Sequence, residues 1–446
     1  MQNLSITNET AGFEQQKPNM ASIKKRLQRT GRNGGRRDNI WGDRIMNEHI
    51  LHTVCLTDNF ADGQKITGVR LQYDRPIDGR WITPAAFQVE GQRITGISVE
   101  KDLVTLSFDT TQEVVRIIPA PGGGRKPGGA KKPDGPPRQM PPVVRLPRQV
   151  RVTQVSEIKT EDGLIYAPGT EPVTSDGMEE PVLCEFIQGS LEGTRYNLYV
   201  PKEYDGETAL PLVLFIHDAG TCGDDPLITL SQGSGAISFA APDWQKDHPC
   251  FVLAPQIGRG APLTNDEFET TEELHTIKRM LDHVVDAYHI DKSRIYTTGQ
   301  SMGCMASCEL NIRHPDYFAA SLLVAGQWSP ERMAEKCRDC RLWILVSEHD
   351  GKAFPGMNAV VDQMEAAGAK VGRYWWDGKE RAEDLSALAR AAMEDDVTLR
   401  YTVFYGSSVV PADRRDDPGS NHTSTWNVVY PIRGLKEWLF SCKKDT

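Results

Sequence analysis

The five residues Gly299-Gln300-Ser301-Met302-Gly303 constrain the fold more than any other stretch. A β-branched and aromatic run, Arg294-Ile295-Tyr296-Thr297-Thr298, precedes them. A stretch able to form a helix, Cys304 to Ile312, follows. Strand, G-x-S-x-G, helix is the pattern of a nucleophile elbow. The turn is so tight that small residues must flank the serine, and the strain lifts its hydroxyl clear of the sheet edge. A serine held there attacks an acyl carbon if a histidine and a carboxylate reach it. The pentapeptide alone also fits an ordinary Gly-rich turn, so its neighbours decide.

A chain of 446 residues is too long for one ordinary core, and two or three domains are expected. Residues 1–42 are polar and basic, with Lys24, Lys25, Arg26, Arg29, Arg32, Arg36 and Arg37 crowded together. They read as a disordered, solvated tail. A nucleic-acid arm is the competing reading, disfavoured because no aromatic or recognition motif is interleaved. Over 43–180 the pattern is that of short strands. Val69, Leu71 and Tyr73 alternate with Arg70 and Gln72, and Val104, Leu106 and Phe108 with Thr105 and Ser107. Turn residues fall at Asp78-Gly79 and Glu90-Gly91. A small β-sandwich fits, although periodicity does not separate it from a barrel. Within it, 119–142 is a Gly/Pro/Lys-rich flexible loop. Strand-like sequence resumes at Val150–Val155, so the loop reads as an insertion as readily as a boundary.

From 181 to 446 strands alternate with helices. Strand candidates are Tyr196–Val200, Pro211–Ile216, Phe251–Ala254, Arg294–Thr298, Ser321–Ala325, Leu342–Ser347 and Leu399–Phe404. Leu274, Ile277, Met280, Leu281, Val284, Val285 and Tyr288 recur at helical spacing. Apolar strands alternating with helices predict an α/β fold, a mostly parallel sheet covered on both faces.

Three signals surround Ser301 in a consistent chain order. His217-Asp218-Ala219-Gly220 ends the apolar strand Leu212–Ile216, where an oxyanion loop belongs. One backbone donor is expected from Met302 and the second from Ala219, with Asp218 as rival; His217 reads as a brace for this loop. Leu345-Val346-Ser347-Glu348-His349-Asp350 ends another strand in acids. Asp350 is the expected third member, with Glu348 as runner-up. Gly419 to Trp426 is a polar turn before the last helix. It carries His422, and no other histidine follows Asp350. Ser301 would attack, His422 would carry the proton, and Asp350 would fix the imidazole tautomer. Trp328 and Gln300 are expected to contact substrate, with Trp375, Trp376 and Trp426 as further aromatic candidates.

The bulk numbers exclude several classes. A hydrophobic share of 39% and a charged share of 25% are those of a globular protein. No apolar run reaches membrane-spanning length. Met1 to Met20 lacks the apolar core of a signal peptide, so a cytoplasmic location is expected, with export by another route left open. Nine scattered cysteines suggest no disulfide framework. Cys337-Arg338-Asp339-Cys340 is a lone C-x-x-C without the second pair a structural zinc site needs. No H-E-x-x-H or carboxylate cluster is present, so no metal and no cofactor are expected.

Tyr196–Pro201, Phe215–Gly220, Phe251–Gln256, Tyr296–Gly303 and Ala325–Trp328 together resemble the bacterial esterases often labelled predicted peptidases. These are α/β-hydrolases related to polyhydroxybutyrate depolymerases and feruloyl esterases. Ile66–Val69, Phe87–Val89 and Ile94–Ile97 resemble the immunoglobulin-like domain that often precedes them. The resemblance implies an α/β-hydrolase catalytic domain over 181–446. It implies Ser301, Asp350 and His422 as triad, and hydrolysis of short-chain or aryl esters. It also implies that the β-domain helps shape the site or the oligomer. Cys304, where many relatives have glycine, and the Cys337/Cys340 pair depart from it. The expected partner is a small or polymer-attached ester, not a membrane or a nucleic acid, with a homo-oligomer left open. A peptidase on the same triad and a catalytically weak binding protein using the basic arm are the alternatives.

Overall fold

Period-two alternation builds the first half of the molecule. The computed structural model describes residues 48–118, 143–146, 149–258 and 262–444, which fall in one unit, Met46–Thr446. The basic tail and the Gly/Pro-rich loop lie outside the described residues. Strands β1 (Ile50–Phe60), β2 (Gly63–Tyr73), β3 (Phe87–Val89), β4 (Ile94–Glu100) and β5 (Leu103–Phe108) come first. They are followed by β6 (Arg151–Gln154), β7 (Ile158–Lys159), β8 (Ile165–Tyr166), β9 (Val173–Thr174) and β10 (Gly177–Glu179). A five-stranded sheet runs β10-β1-β2-β5-β4 and a three-stranded sheet runs β3-β6-β9. Val69, Leu71 and Tyr73 are buried between them with Leu106, Phe87 and Val152. Each such side chain contributes about 1.5–3 kcal/mol. The Val150–Val155 run returns to this domain: β6 pairs with β3 and β9. The Gly/Pro-rich stretch is therefore an insertion in sequence between sandwich strands.

The second half is one mixed sheet. Strands β11 (Ile187–Leu191), β12 (Thr194–Tyr199), β13 (Leu210–Ile216), β14 (Phe251–Gln256), β15 (Ile290–Gln300), β16 (Ala320–Val324), β17 (Leu342–Ser347), β18 (Val371–Trp376) and β19 (Leu399–Phe404) lie in the order β11-β12-β14-β13-β15-β16-β17-β19-β18. From β14 through β18 every pairing is parallel, while β12 pairs antiparallel with β11 and β14. The α/β expectation holds. Alternate residues of β13 feed opposite cores. Leu212, Leu214 and Ile216 meet Leu274, Ile277 and Met280 of helix Glu273–Ala287, while Val213 and Phe215 meet Tyr296, Trp343 and Trp438. Burial on both faces explains why β13 reads as a continuous apolar run.

Two strands carry no clear signal in the sequence. Both β11 and β18 are sheet edges, with half-exposed residues and a glycine each, so neither needs the apolar run that marks the centre. The two halves touch where the β1–β2 hairpin turns. A Cβ on Gly233 would lie 2.6 Å from Ala61 O, so only glycine fits under this turn.

Candidate active site

Parallel strands bring their carboxyl ends to one edge of the sheet, where open α/β sheets hold their sites. β15 ends at Gln300, and helix Met302–Arg313 starts at once. Ser301 between them sits at φ 51°, ψ −117°. A non-glycine residue pays about 1–3 kcal/mol for such a conformation. Its N–H donates to Val324 O at 3.0 Å, tying the turn to β16. A Cβ on Gly303 would lie 1.9 Å from Ile216 O, and one on Gly299 would lie 2.5 Å from Gly303 C. Both glycines of the motif are thus fixed by backbone contact.

His422 Nε2 lies 2.9 Å from Ser301 Oγ, and His422 Nδ1 lies 2.5 Å from Asp350 Oδ2. Asp350 is nearly buried, and its other oxygen accepts the N–H groups of Lys352 (3.1 Å) and Ala353 (3.0 Å). These open helix Ala353–Ala366, so the carboxylate also meets a positive helix end. A carboxylate at Nδ1 holds the proton there and leaves Nε2 to accept from the serine. The runner-up Glu348 is engaged elsewhere, accepting the Gly406 N–H at 2.6 Å.

One local expectation is corrected. His422 is not in a turn but in helix Pro418–Val429, and a further helix, Arg433–Ser441, follows. Asp417 caps it, accepting the Ser420 N–H at 2.8 Å, with Pro418 next. Asp-Pro at a helix start is a sequence signal that reading the stretch as a turn overlooks. Asn421 beside it is fully buried. Its Oδ1 accepts from Ser347 Oγ at 2.9 Å, and its Nδ2 donates to Asp416 Oδ1 at 3.0 Å and Asp417 O at 3.1 Å. It thereby joins the histidine helix to the end of β17. Nothing in the sequence singled it out.

The loop after β13 is braced from inside. His217 is fully buried. Its Nε2 accepts the Ile257 N–H at 3.0 Å, and its Nδ1 lies 2.7 Å from Asp218 O and 2.9 Å from Thr221 Oγ1. Because Nε2 accepts an N–H, the ring proton sits on Nδ1, facing Asp218 O, and burial pushes the pKa down in the same sense. Asp218 caps a single 3-10 turn, Ala219–Thr221, accepting the Gly220 N–H at 2.7 Å. Ala219 is the first residue of this turn and Met302 the first of its helix, positions whose N–H groups have no intrahelical acceptor.

The two residues expected to contact substrate are both buried, with partners within the protein. Trp328 is fully buried, its Nε1–H donates to Glu309 Oε2 at 3.0 Å, and its ring packs on Phe268. An apolar ring beside the elbow strand fits a core as well as a pocket, and here the core took it. Gln300 is 2% exposed. Its Nε2 donates to Asp218 Oδ2 at 3.2 Å and Gln232 Oε1 at 3.1 Å, so it ties the elbow to the loop after β13. Trp376 is buried, Trp375 is exposed on the edge strand β18, and Trp426 packs on the His422 ring. Among the described residues no His/Cys/Asp/Glu group could hold a metal ion, and no helix is long and apolar enough to cross a membrane.

The chain is thus an α/β-hydrolase fold with an immunoglobulin-like domain in front. Residues 52–167 match the family described as the esterase Ig-like N-terminal domain. A solved structure, a thermostable esterase, superposes with a TM-score of 0.71 at 21% identity, covering 89% of this chain and 100% of that one. The poly(3-hydroxyalkanoate) depolymerase C of Paucimonas lemoignei is 29% identical over 129 residues, 26% of this chain. The match spans 31% of that depolymerase's length.

Proposed function

We propose that this protein is a serine carboxylic ester hydrolase that acts through an acyl-enzyme on short-chain or aryl esters. The observation that carries the reading is the unbroken chain Ser301 Oγ, His422, Asp350, with separations of 2.9 Å and 2.5 Å. Ser301 attacks the ester carbon while its proton passes to His422 Nε2. Asp350 holds the Nδ1 proton and stabilises the imidazolium. The amides of Met302 and Ala219 receive the developing oxyanion, and one such donor is worth about 10²–10³ in rate. His422 then protonates the departing alcohol, and water repeats the sequence to release the acid. The esterase-type N-terminal domain and the depolymerase similarity support an ester as substrate.

The test is hydrolysis of a p-nitrophenyl ester series by the wild type, Ser301→Ala and His422→Ala. Wild-type turnover that falls by about 10³-fold or more in both folded variants supports the assignment. Turnover that survives Ser301→Ala removes the nucleophile. A folded wild type that cleaves peptides but no ester moves the reading to a peptidase.

A further inference from the structure

Cys337-Arg338-Asp339-Cys340 closes helix Pro330–Cys337, and the proposed chemistry leaves it unused. The Cys340 N–H donates to Cys337 O at 3.0 Å. Such a four-residue turn brings its outer Cα atoms within about 7 Å, close to the span a disulfide bridges. The turn therefore sets the two cysteines side by side at the end of the helix. Their surroundings differ. Cys337 is fully buried in the apolar cluster that holds Cys304 and Cys308 of the nucleophile helix. Cys340 is partly exposed, with its Sγ 3.6 Å from Pro315 O. An accessible sulfur is therefore backed by a protected one across a single turn. Cys304 and Cys308 lie one turn apart on helix Met302–Arg313, but both are fully buried, away from any solute.

We propose that Cys337 and Cys340 form a thiol modification site, oxidised by hydrogen peroxide to an intramolecular disulfide. The Cys340 thiolate attacks one peroxide oxygen and the O–O bond breaks. The departing oxygen takes up a proton as water, and Cys340 becomes a sulfenic acid. The Cys337 sulfur then attacks the Cys340 sulfur. The S–S bond forms, the S–O bond breaks, and the hydroxide leaves as water with the proton that Cys337 loses. Two thiols are oxidised, one peroxide is reduced, and two waters form. The direction of attack follows from exposure: a solute reaches the partly exposed Cys340 sulfur, while Cys337 is fully buried behind it.

The test treats the full chain with hydrogen peroxide, unfolds it, alkylates the free thiols and digests it with trypsin. Cleavage after Arg338 puts the two cysteines in separate peptides, joined only through a disulfide. We expect the linked pair to appear, the alkyl count to drop by two, and dithiothreitol to reverse both. Cys340→Ser should lose the link and leave Cys337 reduced; Cys337→Ser should leave Cys340 oxidised to sulfenic or sulfinic acid. Cys340 going to sulfinic acid in the wild type without a link overturns the proposal. So does a treated chain in which both thiols stay free.

Discussion

The Trp426 indole stands perpendicular to the His422 imidazole, with centroids 5.2 Å apart and planes at 86°. The two residues lie four apart on helix Pro418–Val429, so they share a face. Trp426 is 7% exposed, whereas 27% of the His422 side chain reaches solvent. The indole therefore forms a fixed wall on one side of a ring that hydrogen-bonds both Ser301 and Asp350. Trp426→Phe keeps an aromatic wall of smaller area. It should lower kcat on the order of ten-fold with KM little changed, since misalignment at the reacting centre costs rate first. Trp426→Ala should also lose about 3–5 kcal/mol of stability. Steady-state kinetics beside urea melts separate the two effects, and an unchanged kcat in folded Trp426→Phe would remove Trp426 from the positioning of His422.

Asn421 acts at the other end of the same helix. Removing its amide leaves the Ser347 hydroxyl with only the longer 3.4 Å contact to Gly406 O, and the Asp416 carboxylate without one of its donors. Asn421→Ala should cost about 1–3 kcal/mol. Because Ser347 and Asp350 share the end of β17, kcat should fall while KM holds. A loss of stability with kinetics intact would mean that the link is structural only.

Gln300 offers a sharper contrast, because the sequence suggested a substrate contact and the structure gives it Asp218 and Gln232 instead. Gln300→Leu should lower kcat by a similar factor for every ester in a chain-length series. Combined with Gln232→Leu in a double-mutant cycle, it should show a coupling of about 0.5–3 kcal/mol. A Gln300→Leu effect that instead varies with acyl length, with no coupling to Gln232, would return the residue to the substrate side.

How far the sequence could be read depends on what each residue touches. The elbow was legible because its glycines answer to backbone contacts within a few residues or across one strand pair, and those contacts admit no other residue. His422 was legible by scarcity and order, but its helix was missed because Gly419-Ser420-Asn421 lowers helical propensity while the Asp417-Pro418 start compensates. The settings of Trp328 and Gln300 were hidden from the sequence for a shared reason. Their partners, Glu309 and Gln232, lie on other elements, and side-chain contacts across elements leave no periodic trace. The edge strands β11 and β18 were missed because a half-exposed strand needs no apolar run.

Glu309 yields the last prediction. It lies on helix Met302–Arg313 with 2% of its side chain exposed. It accepts from Trp328 Nε1 at 3.0 Å and from Arg313 and Arg332, each at 2.7 Å. Burial alone would raise its pKa, but the hydrogen bonds and charges of Arg332 and Arg313 outweigh burial, and the net shift is downward. The folded state thus binds the proton more weakly than the unfolded chain. The stabilisation is present in full above the ordinary glutamate value of 4.5 and is lost as the pH falls through the lower folded value. Glu309→Gln should therefore be less stable than the wild type at neutral pH, by about 1–3 kcal/mol. The gap should narrow as the pH drops below 4.5. Urea melts of both proteins across that range give the answer: a pH-independent gap would show that shape and neutral hydrogen bonding, not the ionised carboxylate, hold Trp328 and the two arginines to helix Met302–Arg313.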